Sequence, residues 1–385
     1  LMETSPRIEL DSSLDRVPFY PVYHGFNDRV IMELVGAAYR ARLEGIVNVA
    51  ESLKPSLDTM LSDIHGSSRK VRVAFVSRYF GVYEPHGMLL DGVMMYLPRD
   101  RFHVMALPVV GTDDKPLSYV IRDNVDEVVP LSLSRQHALT QIESLHVDVL
   151  ILADTLSEPQ THFLAQSRMA PVQMAFWGNP ITSASSQIDY FISADAMEHP
   201  YRTRIRGDGA GASFDEPYSE QVVLLGGQGI WYFSPETTEA IVTAADPSFM
   251  ENVKRTPEET GTLVLSRADL DIPPDAVVFF CPQSVFKMHP YFDDVLAEIT
   301  ALSPKAYVIV TQGRRPKWTE TYNVRLRDAL HRKYTALVQA RGGPANLAPH
   351  ERWAALLDRL VSIPRVTAQY FDALLTRMAD VMVHI

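Results

Sequence analysis

VVFFCPQSVFKMHPYF, residues 277–292, contains the step that defines the architecture of this chain. Val277 to Cys281 is an apolar run with the β-branched and aromatic composition of a buried strand. Pro290 is a favoured first residue for a following helix. A buried strand that passes through a short polar loop into a helix is the repeating step of a parallel α/β sheet. Lys287 stands in that loop, beyond the strand's carboxyl end and ahead of a helix N-terminus that carries roughly half a positive charge. It reads either as a solvated cation, with Asp293 and Asp294 as partners, or as an ammonium aimed at an anion such as a diphosphate.

The same step recurs in both directions. Downstream, the pattern predicts a helix over 290–302, a strand in AYVIVTQG (306–313), a helix over 320–340, a strand in LVSIP (360–364), a helix over 367–378 and a strand in DVMVHI (380–385). Upstream, VRVAFVS (71–77), FHVMALPVV (102–110), DEVVPL (126–131), DVLILAD (148–154), VQMAFWG (172–178), DYFISAD (189–195) and QVVLL (221–225) read as strands. HALTQIESLH (137–146) and THFLAQSRM (161–169) are helix-like stretches between them. Near-continuous apolar strands alternating with amphipathic helices predict mostly parallel sheets covered on both faces. Residues 29–54 carry apolar positions at helical spacing. Residues 205–220 and 341–350 read as loops, and 235 to about 270 as a polar join. The expectation is therefore an α/β chain in three parts. These are an N-terminal helical segment (1–70), a doubly wound Rossmann-like lobe (71–250) and a second such lobe (251–385). Two such lobes bind ligands where the carboxyl ends of their strands face a shared cleft.

Composition narrows the function classes. The net charge of −11 disfavours nucleic acid as a partner. The single cysteine, Cys281, excludes an intrachain disulfide framework and fits a reducing compartment. No apolar run approaches the roughly 20 residues that span a bilayer, and LMETSPRIELD (1–11) has no signal-peptide character. A soluble, cytoplasmic or nuclear protein with no membrane partner is expected. The chain opens on Leu1 before Met2 and stops on an apolar run, as a piece of a longer protein would.

Neither a G-x-G-x-x-G fingerprint nor a Walker loop is present. GGQG (226–229) reads as a turn, with a cleft-lining role as the alternative. Gly178 and Pro180 bend the chain after a strand, which brings backbone amides close to a phosphate or acceptor. Thr182 and Ser183 could add hydroxyl contacts there, and an ordinary turn bonded to itself is the competing reading. His24 and His162 read as structural, His289 as a helix cap, and Trp231 and Trp318 as packing residues. Cys281 reads as buried and inert. Arg314 and Arg315 follow a strand end and read equally as phosphate contacts or as solvated arginines. No His or carboxylate set has metal-ligand spacing, so no metal is expected.

FFCPQSVFKMHPYFDDVLAEI (279–299) resembles the carboxyl-terminal lobe of the O-GlcNAc transferase and SPINDLY family, inverting glycosyltransferases of the GT-B fold. FYPVYHGFNDRVIMELVGAAYR (19–40), VRVAFVSRYFGVYEPHGMLL (71–90), APVQMAFWGNPITSASSQIDYFISAD (170–195), VIVTQGRRPKWTE (308–320) and IPRVTAQYFDALLTRMADVMV (363–383) resemble further family segments in family order. The resemblance implies that Gln283, or Ser284 in the register of other members, and Lys287 contact a nucleotide-sugar diphosphate. It also implies donor contacts from Gly178, Pro180, Thr182, Ser183, Thr367 and Gln369, and upstream helical repeats. The implied reaction is metal-independent transfer of GlcNAc from UDP-GlcNAc to Ser/Thr hydroxyls of acceptor proteins. A GDP-fucose-dependent O-fucosyltransferase and a binding module that has lost activity are the alternatives.

The pattern breaks at two points. Where the family carries a histidine in the loop after the first strand, this chain has Glu84, with His86 two residues later. Where a histidine follows an aspartate by four residues, it has Asp154 and Glu158. A carboxylate can accept a proton, so Asp154, His86, Glu84 and Glu158 remain the catalytic candidates on the acceptor side, beside Lys287.

Overall fold

The computed structural model describes residues 19–24, 27–42, 69–109, 116–198, 217–254, 266–341, 349–365, 374–375 and 377–383. The chain divides into two compact units, Leu1–Ala245 and Asp246–Ile385.

In the first unit, α1 (Arg29–Arg42) is followed by β1 (Val71–Ser77), α2 (Pro85–Tyr96), β2 (Phe102–Pro108), α3 (Tyr119–Asn124), β3 (Glu127–Val128), α4 (Arg135–Ser144), β4 (Val149–Leu152), α5 (Pro159–Leu164), β5 (Val172–Phe176), β6 (Tyr190–Ala194), β7 (Gln221–Leu225) and α6 (Pro235–Ala245). The seven strands form one sheet in the order β3-β2-β1-β4-β5-β6-β7, and every pairing is parallel. Side chains alternate across a strand. Ala74 and Val76 therefore join one apolar cluster with Leu150, Leu152, Phe163 and Phe191, while Val73 and Phe75 join another with Leu90, Met94 and Ile151. With both faces covered, the strands read as continuous apolar runs in the sequence. Full burial of a side chain such as Phe75 contributes about 2–3 kcal/mol.

The strand order reverses between β1 and β4. Such switch points are where open α/β sheets bind ligands, outside the carboxyl ends of the strands. The amino ends are tied down instead. Arg69 donates two hydrogen bonds to Asp148 (2.6 and 2.8 Å), and Arg168 donates two to Asp189 (2.6 and 2.7 Å).

The second unit contains α7 (Pro247–Lys254), β8 (Val277–Cys281), α8 (Pro290–Leu302), β9 (Ala306–Thr311), α9 (Pro316–Arg341), α10 (Pro349–Leu357), β10 (Leu360–Ile363) and β11 (Val381–Met382). Its sheet runs β10-β9-β8-β11, again wholly parallel. This repeats the 3-2-1-4 order of the first unit and puts its reversal between β8 and β11. Val278 and Phe280 pack with Ile309 and Ile363 on one face; Cys281 and Val310 pack with Leu296 and Leu326 on the other.

Some expectations are corrected and others hold. The polar stretch after residue 234 holds two helices, α6 and α7, and the units meet at 245/246. The long helix starts at Pro316, four residues earlier than its apolar pattern suggests, because proline supplies the first helical position. Trp231 is 57% exposed, and it lies against Gly92, where a Cβ would come within 2.8 Å of its side chain. Residues 226–229 form a turn in which Gly227 and Gly229 have φ of 68° and 65°, the left-handed region open to glycine. Cys281 is fully buried, and His289 caps α8, its Nδ1 accepting from the Tyr291 N–H at 3.2 Å. The expected 1–70 segment is described only in part; within it Met32 of α1 packs with Leu156 and Ala184. No helix among the described residues is long and apolar enough to cross a membrane.

Candidate functional site

Each unit gathers sequence-predicted residues at its own switch point. In the first unit the groups are buried. β1 ends at Ser77, whose hydroxyl donates to Asp154 Oδ2 at 3.0 Å; the Arg78 N–H donates to the same oxygen at 2.8 Å. Asp154 thus links the ends of β1 and β4. It is fully buried, which pushes its carboxyl up to about 6 against the pull of the Arg78 N–H, the Thr161 hydroxyl and the Ser77 hydroxyl. A carboxylate poised near neutrality is suited to taking up a proton.

Glu84 and Glu158 both sit at helix starts. Glu84 precedes α2 in an extended conformation, after Tyr83 at φ 58°, and its side chain makes no cap hydrogen bond. Glu158 precedes α5 and accepts from the Gln160 N–H at 3.2 Å. Burial raises its pKa, and the Asp154 charge adds to that shift. An acidic N-cap complements the helix dipole, so glutamate at these two positions has a local structural use.

His86 lies in the first turn of α2, buried and stacked on Tyr79 with ring centroids 5.3 Å apart. Burial lowers its pKa to about 4, with the Glu84 charge acting the other way. It is therefore a neutral imidazole at pH 7, and neither ring nitrogen has a hydrogen-bond partner among the described residues. Gly178 abuts this ring: a Cβ there would lie 2.7 Å from His86 Cδ2 and 3.1 Å from the Ala153 carbonyl. The bend after β5 thus meets the loop after β1 and the end of β4. Asn179 follows, only 1% exposed, with both amide atoms unpartnered among the described residues. Sequence reading passed over Asn179 and Tyr79. An asparagine directly before Pro180 reads as turn chemistry, and nothing local reveals that it is buried.

Pro180 is exposed. Thr182 and Ser183 are buried and turned onto Glu220. Thr182 Oγ1 donates to its carboxylate at 2.6 Å, the Ser183 N–H donates at 2.8 Å, and the Ser183 hydroxyl also donates to it. Their hydroxyls hold Glu220 in this structure. His162 is packed as expected: its Nδ1 donates to the Thr155 carbonyl at 2.9 Å and its ring meets Tyr39 edge-on at 4.7 Å.

In the second unit the groups at the strand ends reach solvent. A short 3-10 turn, Val285–Lys287, follows β8, and Lys287 is half-buried there. That partial burial lowers its pKa. The two carboxylates proposed as its surface partners are engaged elsewhere. Asp293 pairs with Arg325, and Asp294 with Arg332 at 3.2 Å. Ser284 is exposed, and Gln283 turns its Oε1 back to accept from the Ser284 N–H at 3.0 Å. The Thr311 hydroxyl at the end of β9 donates to the Gln283 carbonyl at 3.1 Å, joining the two loops. Thr367 and Gln369 lie outside the described residues, and so does the side chain of His24. Among the described residues no group of three or more His, Cys, Asp or Glu is arranged to hold a metal ion.

No family model matches the chain. It is 21% identical over 226 residues to the Arabidopsis thaliana protein named Probable UDP-N-acetylglucosamine–peptide N-acetylglucosaminyltransferase SEC, covering 58% of this chain and 20% of that one. Its fold is similar to that of a lysine-to-methionine mutant of the Thermobaculum terrenum O-GlcNAc transferase, with a TM-score of 0.56 and 16% identity over 94% of this chain and 56% of that one. The chain therefore spans about a fifth of the curated relative and little more than half of the solved one. In the order of its motifs, in that relative and in its fold, the chain is similar to the O-GlcNAc transferase and SPINDLY-like family.

Proposed function

We propose that this chain is part of a nucleotide-sugar-dependent protein glycosyltransferase that moves GlcNAc from UDP-GlcNAc to Ser/Thr hydroxyls, without a metal, in a cytoplasmic or nuclear compartment. The observation that carries the proposal is the position of Lys287. It stands just beyond the carboxyl end of β8, at the switch point of the second unit and within a segment that resembles the family.

In this reading the second unit handles the leaving group. Lys287 and Gln283 stabilise the negative charge that develops on the nucleotide diphosphate as the glycosidic bond breaks, with Ser284 beside them. Preorganised donors act most strongly on such developing charge, and removing one from other enzymes costs roughly 3 kcal/mol of transition-state stabilisation. The first unit serves the acceptor. Asp154, with a carboxyl near pH 6, is the better-matched base there; His86 at about 4 is a weak one. Displacement by the hydroxyl in a single step inverts the anomeric centre.

A second reading has its own support. Glu84 and Glu158 stand where the family presents histidines, and both serve as helix starts. That favours a module which binds a nucleotide sugar without transferring it. Calorimetry with UDP and GDP, followed by radiolabelled sugar transfer by the full-length protein, separates these outcomes. UDP binding with transfer supports the proposal. Binding of GDP with none of UDP replaces the donor with GDP-fucose, and donor binding without transfer to any peptide leaves the binding module.

A further inference from the structure

In a chain of net charge −11, the loop that follows β8 and the loop that follows β9 with the first turn of α9 are positive. Residues 282–289 and 312–320 carry Lys287, Arg314, Arg315 and Lys317, against the single carboxylate of Glu320. Glu320 is itself engaged by Lys317 at 3.4 Å. Arg314 and Arg315 are exposed, and no carboxylate among the described residues is paired with either.

Tertiary contacts hold the two loops side by side. Besides the Thr311–Gln283 hydrogen bond, Gly313 fits against Val285, where a Cβ would lie 2.7 Å from Val285 Cγ2. The Gly313 N–H donates to the Thr319 hydroxyl at 2.9 Å, which fixes the turn into α9. Phe286, next to Lys287, meets Trp318 edge-on at 5.8 Å. Arg315 lies over that same Trp318 ring, its guanidinium carbon 5.4 Å from the centroid. A chain of contacts therefore runs from the lysine loop through two aromatic rings to an arginine. Stacking holds a guanidinium in place while leaving its N–H fork free to donate. The long helix α9 starts directly behind the pair, so its N-terminal dipole adds to the same positive field.

We infer that the 312–315 loop is the second half of the diphosphate-binding site, with Arg314 and Arg315 supplying guanidinium donors beside Lys287. The ligand class is a pyrophosphate ester, and the inference rests on the nucleotide-sugar reading for the rest of the donor. Two adjacent guanidinium groups suit a group with several anionic oxygens, because each can bind in bidentate fashion. A lone ammonium acts as a point charge.

Calorimetric titration of the full-length protein with UDP, GDP and inorganic pyrophosphate at two salt concentrations tests this. Replacing both arginines by alanine should weaken binding of the accepted nucleotide and of pyrophosphate at least tenfold and make it less dependent on salt. The double change to lysine should recover part of that loss. Arg332→Ala, well along α9 and paired with Asp294, should change binding less than twofold. If the double alanine variant binds like wild type while Lys287→Ala does not, the inference falls and the donor reading stands. If wild type binds pyrophosphate but neither nucleotide, the anion site stands and the nucleotide-sugar reading falls. If wild type binds none of the three, both fall.

Discussion

The strand ends of the two units are built from opposite materials. Beyond β1 and β4, Asp154, Glu158, His86 and Asn179 are all less than a tenth exposed, and Asp154 and His86 have pKa values moved toward neutral forms. Beyond β8 and β9, the charged groups Lys287, Arg314 and Arg315 face solvent or are half-buried. Desolvation accounts for the contrast. A buried charge must find a partner or become neutral, whereas an exposed cation keeps its charge and remains available to an incoming anion. Polar residues beyond β1 and β4 therefore contribute to folding, whereas the cations beyond β8 and β9 are not needed to fill a core.

The largest effect that could break this contrast is in stability. Asp154→Ala removes the acceptor of the Ser77 hydroxyl and the Arg78 N–H inside the sheet, and should cost on the order of 3 kcal/mol in urea denaturation. Lys287→Ala should leave that denaturation curve within about 0.5 kcal/mol while turnover by the full-length enzyme drops roughly a hundredfold. Equal losses of stability in the two variants would erase the distinction.

Asp91 sharpens it through pH. This α2 carboxyl is buried and accepts from the Ser118 hydroxyl at 3.0 Å, and burial pushes its pKa up to about 7. Its folded-state value lies above the unfolded one near 4, so the stability it confers is full below about pH 4 and declines as pH rises through 7. Asp91→Asn cannot ionise. It should match wild type near pH 4 and exceed it at pH 8 by on the order of 3 kcal/mol, read from thermal melts at the two values. His86 and His162, both lowered to about 4, act in the opposite sense and favour the fold as pH rises from 4 to 6.5. A variant whose melting gain is the same at both pH values would show that Asp91 does not titrate in this window.

Gly178→Ala comes next. The added methyl meets the His86 ring and the Ala153 carbonyl at under 3.2 Å, and overpacking of this kind costs about 1–3 kcal/mol. A second change, His86→Ala, should relieve most of that cost in a double-mutant cycle. The smallest effect is expected at Glu158→Ala, which removes the cap of α5 and should cost about 1 kcal/mol by the same denaturation assay.

Much of this molecule was legible in the chain. Each apolar run from Val71 to Leu225 became a strand, because a sheet covered on both faces demands continuous apolar sequence. His289 as a cap could be read from its place before Pro290. The helices α6 and α7 were missed because they are short and mostly exposed. The bonds of Thr182 and Ser183 to Glu220 were not read because Glu220 lies 38 and 37 residues away from them. Local reading cannot see such a bond.

The sequence by itself determined which segments hold strands, and that Lys287, Glu84 and Asp154 follow those strands in the chain. Apolar periodicity and proline placement act over a few residues, so they are written locally. The tertiary structure decided the rest: the reversals between β1 and β4 and between β8 and β11, the burial that shifts Asp154 and His86, and the pairing of the 282–289 and 312–315 loops. Burial and pairing depend on which strands become neighbours, a property of the packed sheet that no short stretch of chain contains.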